Sequence, residues 1–552
     1  MNKEFSRLID QILDSRCKAN PVLATILGVH KYDHKLDKTN AESRKRYLKK
    51  LKEYLKKLDG FSPDVKNDIT KLNKNEMIDL KILKNTLEVE IAEEEKIRWL
   101  KRNAMIYPQT ALKSCFFIIM RDFAPLSRRM RSVLARLKQI PRLMKEGQRN
   151  LARGKNIPEI WTQIAIETTA GGKVYFKKTI PQFAEKVPGL KKALLAANKK
   201  TISAFENYEK FLKESLLPRS KGDFAVGKRV FNFLLKTKHQ LPYTSDDLLT
   251  IGNRVIKETQ AEMRSLSMKI DPQKSWIRIL EDLKKKHPPK ENLLGFYIKE
   301  VKRARAFVKK KKLVTFPKKE SLLVIETPIF NRHNMPFAAY MPPDRFEKKK
   351  RGFLWVTPVN EKLPPERQEQ QLQGHSVYGV GVTAVHECYP GHHIQLLTGG
   401  KTRSKVRRQM GTPFFAEGWA LYCEQMMYEQ GFFKKPETRL FQLKNQLLRA
   451  CRVVIDVNLN TGKMSFDQAV QMLVKVAKLD PIRAQGEVRF YSYMPTYPMS
   501  YTLGKLEILR LREDYKKVKG KTFNLKDFHD KLISYGSIPV QMIRDIMLEK
   551  SL

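Results

Sequence analysis

Apolar side chains return every three or four positions through roughly the first 315 residues of the chain. A period of that kind is satisfied only by helices that each bury one face, so this part of the chain is expected to become helix stacked on helix. Tyr47, Leu48, Leu51, Tyr54, Leu55 and Leu58 form the clearest stripe, and Phe5, Leu8, Ile9, Ile12 and Leu13 form another near the start. The period breaks at Asp59-Gly60, Pro63, Pro141, Pro188-Gly189 and Pro218, which read as turns between helices because proline lacks the N–H that a helix interior uses. Thr244-Ser-Asp-Asp247 has the form of a capping box and predicts a helix running toward Ile270. No fixed repeat of the kind that builds a solenoid emerges.

The texture changes between 316 and 360. Leu322-Leu-Val-Ile325, Phe337-Ala-Ala-Tyr340 and Phe353-Leu-Trp-Val-Thr357 read as short strands separated by proline-rich turns. Helices are expected again from Ser376, with Thr412-Pro413 as cap and first residue of one and Ser465-Phe-Asp-Gln468 as the capping box of another.

The chain is strongly basic, +49 from 107 Lys and Arg against 58 Asp and Glu, and such a field attracts nucleic acid, anionic lipid or acidic substrates. The excess is spread along the whole length, with local runs at Lys284–Lys286, Lys309–Lys312 and Lys348–Arg351, and solvated lysine faces account for it. A nucleic-acid-binding surface would interleave aromatics with Arg and Lys on one face, and no such module is visible. The cysteines Cys17, Cys115, Cys388, Cys423 and Cys451 are scattered and lack C-x-x-C spacing, so they read as reduced thiols. The first helix lacks the apolar core of an export signal, and the apolar runs fall far short of the ~20 residues that span a bilayer. A soluble, cytoplasmic protein is the expectation.

Three of the ten histidines fall within eight residues, in Thr383-Ala-Val-His-Glu-Cys-Tyr-Pro-Gly-His-His-Ile-Gln395. In the pattern H-E-x-x-H, two imidazoles one turn apart on a helix bind zinc and the Glu between them faces the attacking water. The spacing here differs, because Pro390 stands where the helix would continue and the next histidines come at i+6 and i+7. Proline and glycine can loop two residues out of a helix, which returns His392 to the phase of an i+4 ligand. Without that bulge His393 shares the face of His386 but lies about 10 Å along the axis, awkward for donors each about 2 Å from one ion. Geometry therefore favours His392 as the second ligand and leaves His393 as the alternative.

A third donor is offered by Pro413-Phe-Phe-Ala-Glu-Gly-Trp-Ala-Leu-Tyr422, where Glu417 interrupts an apolar helix one turn after its cap and Gly418 lets another element come close. A carboxylate on an apolar face needs a partner, either a metal ion or one of the many arginines.

His386-Glu-Cys-Tyr-Pro-Gly-His-His393 together with Glu417-Gly-Trp-Ala-Leu-Tyr422 resembles the domain of unknown function 885 family, whose H-E-x-x-P-G-H-H and E-G-W-A segments place it near the gluzincin metallopeptidases. Asn20-Pro-Val-Leu-Ala-Thr-Ile-Leu-Gly28 looks like the opening of that family, and Arg449-Ala-Cys-Arg452, Glu487 and Tyr501-Thr-Leu-Gly504 fall where its later motifs fall. Two departures stand out. Asn458 and Asn460 replace the Gly and His of the family's D-x-G-x-H, and Pro495-Thr-Tyr497 replaces its P-G-Q. The resemblance implies a mainly α fold, a large helical metallopeptidase-like body with a small β segment beside an active-site cleft.

The expected organisation is an N-terminal helical scaffold over 1–315 and a catalytic region over 316–552. The latter comprises the β segment 316–360, zinc-site helices 376–430 and C-terminal helices 437–552, all joined in one continuous body. The expected function is that of a zinc-dependent hydrolase, a metallopeptidase with one Zn2+ held by His386, His392 and Glu417. Glu387 is the expected general base, and Tyr501, beside Tyr491, Tyr493 and Tyr497, either a donor to the oxyanion or a packing aromatic. His393 and Glu424 are candidates for outer-shell or substrate contacts, Glu424 being equally readable as a surface charge. Arg449 and Arg452 are candidates for a substrate carboxylate or for structural ion pairs. The Phe353–Thr357 strand offers an edge to which an extended peptide could add. The expected partner is a peptide or amide substrate, and the charge suits an acidic one. Two other readings remain open: a zinc-dependent amide hydrolase acting on a non-peptide substrate, and a basic helical nucleic-acid-binding or scaffold protein with a degenerate metal site.

Overall fold

Helices dominate the computed structural model, which describes residues 2–61, 72–328, 332, 335, 337–343 and 351–548. Pro63 and the run Lys348–Lys350 lie outside these residues. The described chain forms two compact units, one ending at Phe224 and the other beginning at Ala225.

In the first unit both apolar stripes face inward. Helix Lys3–Ala19 buries Phe5, Leu8, Ile9, Ile12 and Leu13, and helix Ala41–Asp59 buries Tyr47, Leu51 and Leu58. The long helices Glu159–Ala184 and Pro188–Lys210 pack together, Phe176 meeting Phe205 edge-on at 5.2 Å. Gly172 makes this possible, since a Cβ there would strike the Phe205 ring. Pro188 stands at the first position of its helix, where no N–H is required. Arg136 is fully buried, and its guanidinium is satisfied by Lys35 O, Ser114 O, Pro21 O and Thr25 Oγ1.

In the second unit Thr244 caps helix Ser245–Ile270 with the expected box. That helix and Trp276–Lys284 pack on the long helix Pro436–Asn460, where Met263, Trp276, Ile279 and Leu283 share an apolar cluster with Leu440, Phe441, Leu443 and Leu447. A second cluster joins Phe231, Leu235 and Leu248 to Phe414, Val453, Val457 and Leu503. Each fully buried side chain of this size contributes about 1.5–3 kcal/mol. The helices between Ala225 and Lys310 thus bury their faces against C-terminal helices, which is why the division falls at Ala225 and not at 315. No helix among the described residues is long and apolar enough to cross a membrane.

The β segment is a three-stranded sheet in the order β1-β3-β2. β1 (Ser321–Glu326) runs parallel to β3 (Arg351–Val356), and β2 (Ala338–Met341) runs antiparallel to it. β3 is therefore central and paired on both sides, which corrects the expectation that the Phe353–Thr357 strand presents an edge. The edges are β1 and β2. Thr357 N–H donates to Phe337 O at 2.7 Å, so alternation along the ladder turns the backbone groups of Ala338 and Tyr340 away from β3. After the sheet, helix Pro365–Gln373 was not anticipated, and Ser376 then caps Val377–Glu387 through its side chain.

Candidate metal centre

Helix Val377–Glu387 ends one residue after His386, and the backbone then folds back on its last turn. Cys388 and Tyr389 N–H both donate to Ala384 O, and Gly391 N–H donates to Val385 O at 3.1 Å. A Cβ at Gly391 would strike the carbonyls of Val385 and His386, so only glycine fits this approach. Trp419 Nε1 donates to Pro390 O at 3.0 Å and ties the turn to helix Pro413–Glu429. A new helix, His392–Gly399, follows at once. The interruption is a full break between two helices, and this corrects the expected two-residue bulge within one. The carbonyls that would have carried the first helix onward are used by the reversed turn.

The break nevertheless brings His392 to the expected partners. His386 Nε2 lies 3.8 Å and His392 Nε2 lies 3.3 Å from the same oxygen, Glu417 Oε2. The two imidazoles stand almost perpendicular, with centroids 5.0 Å apart. All three donor atoms lie within 4.8 Å of one another, and among the described residues this is the one such group of His, Cys, Asp or Glu. Donors about 2.05 Å from a tetrahedral zinc stand about 3.3 Å apart, so the three need only a small adjustment to close on one ion. Glu417 reaches this point because Gly418 abuts Gly504. A Cβ on either would collide with the other's backbone, so helices Pro413–Glu429 and Ser500–Lys519 meet at glycine on both sides.

Burial works against a charge on His386, yet Glu417 and Glu424 overcome it and lift its pKa to about 9. Burial also disfavours an ionised Glu417, but His392 and His386 hold it well below the usual carboxylate range. Surroundings that stabilise a proton on imidazole in this way also stabilise a divalent cation in its place, and the two compete.

Glu424 is buried, and its Oε1 meets His386 Nδ1 at 2.8 Å. It is an outer partner of the ring and not a surface charge. When the ring gives up its second proton, Nδ1–H still donates to Glu424 and the Nε2 lone pair is left facing Glu417. His392 Nδ1 has no comparable partner among the described residues.

Tyr497 was not singled out by its sequence, yet its hydroxyl donates to the other oxygen of Glu417, Oε1, at 2.9 Å. Tyr501 instead stacks on His386, with centroids 6.3 Å apart and 19° between the planes. The segment carrying Tyr497 is fixed by Asp456, whose carboxylate accepts from Thr496 N–H at 3.2 Å and Met499 N–H at 3.4 Å. Asn460 Nδ2 donates to Asp456 Oδ1 at 2.9 Å. Asn460 and Pro495-Thr-Tyr497, two departures far apart in the sequence, are thus parts of one local arrangement.

His393 turns away from the three donors and is fully buried. Its Nδ1 meets the Tyr340 hydroxyl at 2.9 Å and its Nε2 meets Glu320 Oε1 at 3.1 Å. Glu320 also accepts from the Tyr389 hydroxyl and from Arg305 Nη2, the latter at 2.9 Å. Burial alone would raise the Glu320 pKa, but His393, Arg305 and Tyr389 bring it down to about 2. Tyr340 N–H, facing outward from β2, donates to Glu387 Oε2 at 3.0 Å. The sheet thereby holds the carboxylate that follows His386.

Arg452 is the structural ion pair that the sequence allowed, donating to Glu487 Oε2 and to the Tyr491 hydroxyl, each at 2.8 Å. Arg449 is less committed: Nη1 donates to Asn445 O at 3.2 Å and Nη2 lies 3.9 Å from Glu424 Oε1, while its buried Nε has no acceptor among the described residues. Both guanidinium groups face the Tyr501 ring, at 5.2 Å for Arg449 and 4.8 Å for Arg452.

A profile of the DUF885 family, described as bacterial protein of unknown function, matches residues 21–547. The chain belongs to the DUF885 family. Among solved structures, a lipoprotein candidate of unknown function from Shewanella oneidensis matches with a TM-score of 0.83 at 25% identity, over 99% of both chains. A lipoprotein candidate from Colwellia psychrerythraea gives a TM-score of 0.84 at 19% identity, over 99% of this chain and 98% of its own, a likeness of fold alone. No curated protein matches. In this DUF885 member the two segments H-E-x-x-P-G-H-H and E-G-W-A bring His386, His392 and Glu417 to one place, with Glu387 the residue after His386.

Proposed function

We propose that this DUF885 protein is a zinc-dependent hydrolase that cleaves peptide bonds, with gluzincin-like kinship as part of the same reading. The observation that carries it is the convergence of His386 Nε2, His392 Nε2 and Glu417 Oε2, with Glu387 directly after His386 and its carboxylate held by β2. His386, His392 and Glu417 would hold a zinc ion, which would acidify a bound water and polarise the substrate carbonyl. Glu387 takes the proton of the attacking water as its oxygen adds to the carbonyl carbon. It returns that proton to the amide nitrogen as the C–N bond breaks, so one carboxylic acid and one amine are released. With the outward Tyr340 N–H held by Glu387, the outward groups of Ala338 and the Tyr340 carbonyl suit an extended peptide added as a further strand. Burial, then Glu417, raises the Tyr501 pKa, so its hydroxyl keeps the proton that an oxyanion donor needs.

Carefully purified protein is expected to contain one zinc per chain, and its activity on a peptide library to vanish with a chelator and return with added zinc. Cleavage by demonstrably metal-free protein, or a zinc-loaded protein that cuts no member of the library, would sink the reading. Tyr497→Phe is expected to weaken zinc about tenfold or somewhat more, because Glu417 Oε1 loses the donor that orients it. Competition against a chelating dye measures this, and an unchanged affinity would reduce Tyr497 to a packing role.

A further inference from the structure

One flank of the site carries more positive charge than it can pair. Lys444, Arg449 and Arg452 lie on helix Pro436–Asn460, and Arg483 lies one turn before Glu487 on helix Pro481–Ser492. Arg483 is within electrostatic reach of Glu487, Arg452 and Arg449. Of these four cations only Arg452 is fully matched, by Glu487 and Tyr491. The Glu424 oxygen that Arg449 approaches at 3.9 Å is already held by His386 at 2.8 Å. Lys444 and Arg483 have no carboxylate within ion-pair distance among the described residues, and each rests near an aromatic ring, Phe441 at 5.7 Å and Phe337 at 5.4 Å. Burial, and then repulsion from Lys284 and Arg483, pulls the Lys444 pKa down to about 7. Lys444 and Arg449 are half-buried and Arg483 lies exposed beside them. Half-buried cations without a full counter-ion are costly, and an anion entering among them is bound strongly, a planar carboxylate best of all by guanidinium.

The geometry also sets where that anion sits. Glu424 Oε1 is shared by both contacts, so Arg449 Nη2 lies no more than about 6.7 Å from His386 Nδ1. Tyr501 spans the same gap, between the His386 ring and the Arg449 guanidinium. Arg483 stands over Phe337, the residue leading into β2, so the cations reach one end of the strand on which an extended peptide would lie. An extended residue advances about 3.4 Å, so at most about two residues fit between the His386 ring and an anion at Arg449.

We propose that Arg449, flanked by Arg483 and Lys444, takes the free C-terminal carboxylate of a peptide, so that the protein removes one or two residues from the C-terminal end. The inference rests on the hydrolase reading above. Water alone is consumed: its oxygen joins the acyl carbon, and its hydrogen completes the amino group of the released amino acid or dipeptide. Arg452, held by Glu487, keeps Tyr491 and Tyr501 in place and does not bind the substrate.

Two N-acetylated peptides of one sequence, one ending in a free carboxylate and one in an amide, test this on the full-length zinc-loaded protein. The acid is expected to be cut one or two residues from its end, as read by mass spectrometry, with kcat/KM on the order of 100-fold above that of the amide. Arg449→Met should bring that preference close to one with zinc content unchanged, and Arg483→Met should narrow it in the same direction, which serves if the first variant does not fold. Equal cleavage of acid and amide, or cuts confined to internal bonds, overturns the inference and leaves the hydrolase reading standing. Calorimetry on Glu387→Gln separates the two. Tighter binding of the acid that is lost with Arg449→Met, combined with no cleavage of either peptide by the native protein, keeps the carboxylate site and sinks the hydrolase. Neither cleavage nor preference overturns both.

Discussion

His392→Ala and Glu417→Ala are each expected to take bound zinc from one per chain to almost none, with the helical fold intact, while His393→Ala keeps the metal. The first two remove donors that converge within 3.3 Å of each other. If donors share the binding free energy of a protein zinc site about equally, each supplies on the order of 3 kcal/mol, or a hundredfold or more in affinity. His393 has neither nitrogen free for the ion, because Tyr340 and Glu320 occupy both. Its loss should still be felt, since Tyr340 also fixes Glu387, and a fall in turnover of about 10- to 100-fold is expected from loosened outer contacts. Elemental analysis of the three variants, beside their circular dichroism, decides the matter. Zinc lost from His393→Ala and retained in His392→Ala would move the second ligand by one residue and overturn the proposed geometry.

Helices were the legible part of the fold because their signals are local. The caps at Thr244, Thr412 and Ser465 are side chains bonded to N–H groups two or three residues on, so sequence alone locates them. Which helix meets which was not legible. An apolar stripe says that Met263 and Leu283 need a partner, but not that Leu440 and Leu447 supply it. For this reason the helices between Ala225 and Lys310 read as scaffold when they belong with the site-bearing helices. The central place of β3 had a visible sign, the unbroken apolar run Phe353-Leu-Trp-Val356, which fits a strand covered on both faces better than an exposed one.

At the site, the grouping of His386, His392 and Glu417 could be read because a proline-glycine break, and a glycine after a carboxylate on an apolar helix, constrain the backbone strongly. Glu424 follows Glu417 by two turns on the same helix face, so its place behind His386 was available from spacing, although its burial was not. Tyr497 and Tyr501 lie one turn apart, and only the loop fixed by Asp456 separates their roles. Arg449 and Arg452 looked equivalent until Glu487 paired with one of them. In each case the missing information was a contact made far along the chain.

Glu387→Gln is expected to retain one zinc per chain and to lower turnover by two or more orders of magnitude, in line with what a positioned general base contributes. Glutamine has the same shape, and its amide oxygen can still accept from Tyr340 N–H, so the edge of β2 and the turn after Glu387 should stay as they are. What it loses is the ability to take a proton from the attacking water. The contrast with His393→Ala is informative, because that variant leaves the base intact and disturbs only what holds it. Loss of zinc and activity together in Glu387→Gln would place Glu387 among the ligands and free one of the three donors for another role. Turnover near that of the native protein with zinc in place would remove Glu387 from the chemistry, and the strand-held carboxylate would then be structural.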